Sequence, residues 1–205
     1  MTWDKGEYFP RQKRAREKKG RLIKAALEEF SRRGYNRTSA KRIAAGAQVA
    51  TGTFYRYFRD KKAVFMAVCR SVETEIGVII FERGQEMRRR GVLETEILKS
   101  LIKTSVDAHH ANKKFHREVL AMQLQDPEVD AWVRGREGRT LKSLKDFLEP
   151  MREHYRPRDL ETAAELILHT VEETAHRAVL FDSARDEGKL VRELSDMILR
   201  YMLEC

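Results

Sequence analysis

The chain is predicted to be all-α, with about nine helices, and three observations carry that prediction. Apolar residues recur at helical spacing over long segments, prolines number only 4 in 205 residues, and β-branched runs are scarce. The pattern further divides into a short-helix module of helix-turn-helix form near the N-terminus and a longer helical domain after it.

Residues 1–19 mix Trp3, Tyr8 and Phe9 with Arg11, Lys13, Arg14, Arg16, Lys18 and Lys19, and are read as a basic N-terminal arm. Two readings stand for it: a disordered, solubilising tail, or an arm that tracks phosphates or reaches a minor groove. Arg16 to Arg21 are expected to enter the first helix already. Over residues 21–34, Leu22, Ala26 and Phe30 form one stripe with Ile23 and Leu27 beside it, and Gly34 ends the helix. Ser39 stands as the N-cap of a second helix, whose Ile43, Ala44 and Ala47 make a buried face while Lys41 and Arg42 stay outside. After Val49 the segment TGTFYRYF puts Phe54 and Phe58 four residues apart on one face, so both are assigned to the core. Helices this short need a third helix to pack on, which residues 21–34 supply.

Lys61 and Lys62 begin a longer helix through about residue 82, with Val64, Phe65, Val68, Val72, Ile76, Ile79 and Ile80 on its apolar face. It is read as the lever joining the two domains. Further helices are expected over about 92–111 and 113–124, and then from Asp126-Pro127 onward, because proline fits a first helical turn. That last helix carries Trp132, Leu141, Leu144, Phe147, Leu148 and Met151 and stops before the HYRPRD turn at 154–159. Two final helices cover about 159–182 and 187–204. In the first, Ala163, Ala164, Thr170, Thr174, Ala175 and Ala178 permit close approach beside Leu166, Ile167, Val171 and Val179. In the second, Leu190, Leu194, Met197, Ile198, Tyr201 and Met202 form a stripe. Such a pair suits a four-helix bundle across a two-fold axis, with packing inside one chain as the alternative.

Charge is distributed unevenly. Residues 1–70 hold 19 Lys and Arg against 6 Asp and Glu, while residues 71–205 hold 22 against 26. A basic module joined to a mildly acidic one is the footprint of a part that meets phosphates and a part that does something else. Two cysteines, Cys69 and the terminal Cys205, support neither a disulfide framework nor a zinc site. No apolar run approaches a membrane span and no signal peptide is visible, so no membrane partner and a cytoplasmic location are expected. No nucleophile-base pair, phosphate loop or nucleotide motif is present, and no enzyme activity, cofactor or metal is expected.

The residues Phe30, Gly34, Tyr35, Thr38, Ser39, Ile43, Ala44, Ala47, Val49, Gly52, Thr53, Phe54, Tyr55, Tyr57, Phe58 and Lys61, at their spacings, resemble the DNA-binding module of the TetR family of bacterial transcriptional regulators. The resemblance covers about the first third of the chain. It implies an arm at 1–19, a helix-turn-helix DNA-binding domain at 20–66, and an effector-binding and dimerisation domain at 67–205. It also implies dimerisation through the last two helices, a palindromic or near-palindromic double-stranded operator, and repression relieved by a small-molecule effector.

Residue roles follow from chemistry and family position together. Lys41, Thr51 and Thr53 are candidates for base edges; Ser39, Tyr55, Tyr57 and Lys61 for phosphates; Gly52 for close backbone approach; Arg56 for phosphate or solvent. Three departures stand out. Gln48 occupies a turn position that favours glycine, at a cost on the order of 1 kcal/mol. Ala50 offers no capping side chain, so Thr51 is expected to cap and the helix to begin one residue later. Arg42 stands where an acidic residue would complete a capping box.

For a small-molecule pocket the candidates are Phe115, Met122, Trp132 and Phe147 as walls and His109 or His110 as polar contacts, with core packing the competing fate of each. The segment HTVEETAH sets His169, Glu172, Glu173 and His176 at helical spacing. His169 and Glu173 are candidate ligand contacts, with a polar cluster at a dimer seam or a metal site as competing readings. Two alternatives to the regulator remain at this stage: a DNA-binding protein without an effector, and a helical metal-binding protein built on the His169 to His176 cluster.

Overall fold

A computed structural model describes residues 6–8, 12–180 and 186–203, leaving aside the side chains of 75–79. Trp3, Phe9, Arg11 and Cys205, and the side chains of Ile76 and Ile79, lie outside the described residues. The described helices are α1 (Lys13–Arg33), α2 (Ala40–Gly46), α3 (Thr51–Tyr57), α4 (Lys61–Arg89), α5 (Glu94–Ala111), α6 (Lys113–Gln123), α7 (Pro127–Leu148), α8 (Leu160–Ala175) and α9 (Glu187–Met202). A 3₁₀ turn at Glu149–His154 follows α7, and a π-helical turn at His176–Leu180 follows α8. The all-α expectation holds, although α1 begins earlier and α4 runs seven residues further than its apolar stripe suggested.

The chain divides into two compact units. The first takes residues 1–74 together with 114–130, and the second takes 75–113 and 131–205. The expected boundary at 66/67 falls inside the buried run Ala63–Cys69 of α4.

In the first unit, Leu22, Ala26, Phe30, Ile43, Phe54, Phe58, Val64 and Phe65 are fully excluded from solvent. They come from α1 to α4, which is why two seven-residue helices hold their shape without intrinsic stability. Phe30, Tyr35, Phe65 and Phe115 form one aromatic cluster, with the Phe65 ring 5.3 Å from Phe30, 5.2 Å from Tyr35 and 5.4 Å from Phe115. Phe115 and Met122, both buried, therefore belong to the core of this unit rather than to the wall of a pocket in the second domain. Part of the N-terminal arm is ordered structure too. Glu7 is buried, pairs with Lys19 at 2.7 Å and with Arg70, and bridges to Phe58, while the Tyr8 N–H donates to the Tyr57 carbonyl at 2.9 Å. A purely disordered tail is thus excluded for residues 6–8 and 13–19, the latter being helical.

The second unit is built around Ile97, Leu101, Phe147, Leu148, Leu160, Ala163, Ala164, Val171, Leu194, Ile198 and Met202. Gly84 of α4 permits a close crossing: a Cβ there would lie 2.9 Å from the Phe147 ring and 3.0 Å from Leu101. Arg88 stacks on Phe147 at 4.1 Å, donates to its carbonyl at 2.8 Å and pairs with Glu94 at 2.6 Å; Glu94 also accepts from the Tyr155 hydroxyl at 2.5 Å. Burial beside that carboxylate holds the Tyr155 phenol protonated well above the usual range. Asp159 and Asp186 cap α8 and α9 by accepting the orphan N–H groups of Thr162 and Lys189.

Candidate nucleic-acid interface and effector site

The helix-turn-helix is set by local chemistry. Ser39 Oγ accepts the Arg42 N–H at 3.3 Å and starts α2. Gln48, at φ 55°, is the one non-glycine residue with positive φ among the described residues, and it makes the turn that the glycine-favouring position requires. The expectation for α3 needs correction: Ala50 is the N-cap residue, no side chain caps it, and Thr51 is already the first helical residue. The N–H of Thr53 is met by the Ala50 carbonyl at 2.8 Å, which makes a hydroxyl cap dispensable.

With Ile43, Ala44, Phe54 and Phe58 turned inward, the opposite faces of α2 and α3 are defined. Lys41, Thr51, Gly52, Tyr55 and Arg56 are exposed and Thr53 is half-buried; nothing lies within 4 Å of a Cβ added at Gly52. Tyr57 differs from expectation. It is 3% exposed, under Tyr8 at 6.1 Å, so it packs the arm onto the module instead of being displayed to phosphates. Lys61 is also turned inward: Nζ donates to the Tyr35 carbonyl at 2.7 Å and sits over the Tyr35 ring at 4.1 Å, and burial lowers its pKa. Thr38, buried, donates to the Gly34 carbonyl at 2.8 Å, and Glu118 of α6 accepts the Tyr35 N–H at 2.7 Å. These bonds hold the turn between α1 and α2, where Gly34 adopts φ 80° with Glu118 packed against it.

In the second unit a polar cluster gathers where α5, α7 and α8 converge. The Arg136 guanidinium faces the Glu172 carboxylate at 3.5 Å, and the His109 and His176 rings lie 5.2 Å apart. His109 Nδ1 donates to the Ser105 carbonyl at 2.8 Å. Burial lowers the His109 pKa and takes His176 down to about 4, helped in both by the Arg136 charge, while burial raises that of Glu172. Both imidazoles are therefore neutral at pH 7. Two buried donors, Trp132 Nε1 and Arg136 Nε, have no hydrogen-bond acceptor among the described residues. Unpaired donors in an interior are costly and rare.

Of the candidate ligand residues, His109 and Trp132 belong to this cluster. Phe147 is core, locked by Gly84 and Arg88. His169 and Glu173 are exposed, Glu173 pairing with Arg177 at 2.6 Å, so the inward members of HTVEETAH are Glu172 and His176. His110 is exposed and pairs with Glu187 at 2.7 Å. Arg136 escaped the sequence reading, yet it lies three residues after buried Val133 and four after Trp132, on the inward stripe of α7. The small residues Ala163, Ala164 and Ala175 are buried inside the chain, whereas Leu166, Met197 and Tyr201 are the exposed large apolar residues of α8 and α9. No helix among the described residues is long and apolar enough to cross a membrane.

The fold and the displayed face of α2 and α3 are those of a helix-turn-helix module. The chain belongs to the TetR family: residues 22–68 match the model for bacterial regulatory proteins of the tetR family, and residues 95–202 match that of the tetracyclin repressor-like C-terminal domain. A fatty acid metabolism regulator protein of Bacillus subtilis is 24% identical over 194 residues, covering 91% of this chain and 96% of the relative. Two other Bacillus subtilis regulators match over 54% of this chain, which spans only 36% and 35% of their lengths. Among solved structures, a TetR-family regulator from Mesorhizobium loti superposes with TM-score 0.81 at 21% identity, covering 94% of this chain and all of that one. The regulator FadR of Bacillus subtilis, solved in complex with stearoyl-CoA, gives TM-score 0.67 at 22% identity and covers 87% of this chain and 96% of its own.

Proposed function

We propose that this protein is a dimeric repressor, acting in the bacterial cytoplasm, that occupies a palindromic operator and is released by a small-molecule ligand, with long-chain acyl-CoA thioesters the first class to test. The observation that carries the DNA half is the division of α2 and α3 into a fully buried face and a face displaying Lys41, Thr51 and Tyr55. On this reading Lys41, Thr51 and Thr53 meet base edges, Ser39 and Tyr55 meet phosphates, and Gly52 lets the backbone approach. Two such helices about 34–36 Å apart would enter successive major grooves, which is why a palindrome is expected. The exposed Leu166, Met197 and Tyr201 on α8 and α9 support pairing of two chains through those helices.

The ligand half rests on Trp132 Nε1 and Arg136 Nε, which lack acceptors among the described residues of the second unit, and on relatives named for fatty acid metabolism or solved with an acyl-CoA. An acyl-CoA offers a thioester carbonyl and phosphates as acceptors and a chain to line with apolar side chains. Release requires only that the ligand prefer a conformation whose α3 spacing no longer fits the half-sites. The test is selection on random duplexes followed by titration of the winning palindrome, with and without stearoyl-CoA. Specific affinity of about 10⁻⁸ M or tighter, lost on adding stearoyl-CoA and retained with CoA alone, is the expected result. Equal affinity for all duplexes would refute the regulator; unchanged affinity with stearoyl-CoA would refute that ligand class.

A further inference from the structure

We propose that the first unit carries a second anion site, a cleft between the C-terminal end of α1 and α6 that binds a phosphate or phosphate-ester group. The cleft, of about 510 Å³, is lined by Ser31, Arg32, Arg33, Gly34, Arg37, Lys114 and Arg117, with Glu118 as the one acid of the lining. Its five cations are drawn from two segments nearly eighty residues apart, brought together because Phe115 of α6 packs on Phe30 and Phe65. The lining itself sets five cations against one carboxylate. Glu118 is committed to the Tyr35 N–H, and Glu29, beneath the rim, pairs with both Arg32 and Arg33.

Like charges gathered in a concavity repel one another, and a concave wall focuses their field on an anion that enters. Four guanidinium groups favour an oxyanion with several acceptor oxygens, which they can engage in bidentate fashion. Arg32, Arg33, Arg37, Lys114 and Arg117 are all exposed, so entry is open. The turn beneath is firm: Thr38, next to Arg37, is buried and bonded to the Gly34 and Glu29 carbonyls. Arg37 stands two residues before Ser39, the proposed phosphate contact at the start of α2. The occupant is accordingly either a backbone phosphate of DNA flanking the operator or the phosphate of a free small molecule. The first source rests on the DNA-binding reading above, and the second does not.

The test is the double variant Arg37→Gln, Lys114→Gln, beside the control Arg89→Gln, Arg90→Gln, which removes equal charge from exposed positions of the second unit. Two measurements are made on the full chain: thermal midpoint against inorganic pyrophosphate, and the slope of log affinity against log salt for the selected operator carrying long flanks. A free-phosphate site predicts that pyrophosphate raises the midpoint of wild type and control by about 3 °C at ~10-fold excess over its dissociation constant, with most of the rise lost in the cleft variant. A DNA-flank site predicts a salt slope shallower by about 0.9 per lost phosphate, and weakening by one common factor across sequences, in the cleft variant beyond the control. Loss of neither the pyrophosphate effect nor the slope relative to the control overturns the site. Should wild type bind no operator, the regulator reading fails on that result and the pyrophosphate measurement alone decides the cleft.

Discussion

The carboxylate of Glu118 accepts the backbone N–H of Tyr35 at 2.7 Å, joining α6 to the turn ahead of α2 across 83 residues of sequence. Removing it leaves a partly buried N–H unpaired and withdraws the one acid from a cleft of five cations. Glu118→Ala is therefore expected to destabilise the protein by about 1–3 kcal/mol, read as a lowered urea midpoint at unchanged m. A midpoint equal to wild type would mean that the bond contributes nothing.

Gln48 holds φ 55° where glycine has no steric penalty. Gln48→Gly should raise the thermal midpoint by the equivalent of roughly 0.5–1 kcal/mol, the relief of strain exceeding the added chain entropy. A fall in the midpoint would show that the Gln48 side chain contributes more than its backbone costs.

Gly84→Ala tests the crossing of α4 against α7 and α5. The added methyl meets the Phe147 ring at 2.9 Å, and Phe147 cannot yield easily because Arg88 stacks on it. A loss of about 1–3 kcal/mol in chemical unfolding is expected. Combining it with Phe147→Leu should recover part of that loss, whereas additive losses would place the strain elsewhere.

His176 has a folded pKa of about 4, against about 6.5 when unfolded, because burial and the neighbouring His109 and Arg136 disfavour its charge. Between those values the unfolded chain binds more protons, so this group's contribution to stability is present above about pH 6.5 and is lost as pH falls toward 4. Glu172, whose pKa is raised by burial, works in the opposite sense. Thermal midpoints of wild type and His176→Gln, compared from pH 7 to 4.5, should converge or cross as acid is added. Parallel curves would indicate that His176 titrates normally.

Arg136→Met and Trp132→Phe remove the two buried donors that lack acceptors while keeping most of the volume. Arg136→Met is expected to lose stability with its Glu172 pairing and Trp132→Phe to lose little, and each is expected to bind stearoyl-CoA at least about tenfold more weakly by calorimetry, one lost hydrogen bond to a charged or carbonyl acceptor being worth that much. Binding equal to wild type in both would remove this cluster from the ligand site.

Much of the DNA-facing module was legible in the sequence, because its determinants are local. Ser39 caps by a bond three residues long, Gln48 reveals itself by standing in a turn that needs positive φ, and the four-residue spacing of Phe54 and Phe58 puts both in the core. The surroundings of Tyr57 and Lys61 are not legible in local spacing because they depend on partners far along the chain or across a turn: Tyr8 covers one and the Tyr35 carbonyl takes the other. Helical spacing says which residues share a face, not which face of the helix is covered.

By itself, then, the sequence determined that the chain is all helical, the order and approximate placement of its helices though not the full extent of α1 and α4, and that a basic module precedes a longer helical domain. Tertiary structure decided that Phe115 and Met122 complete the first unit's core, that Arg136, Glu172 and His176 turn inward together with unpaired donors beside them, and that basic residues from α1 and α6 share a cleft. The reason is range. Caps, turns and helical periodicity act over three or four residues and are written in adjacent letters, whereas burial, charge clustering and pKa arise only when segments separated by tens of residues are brought within a few ångströms.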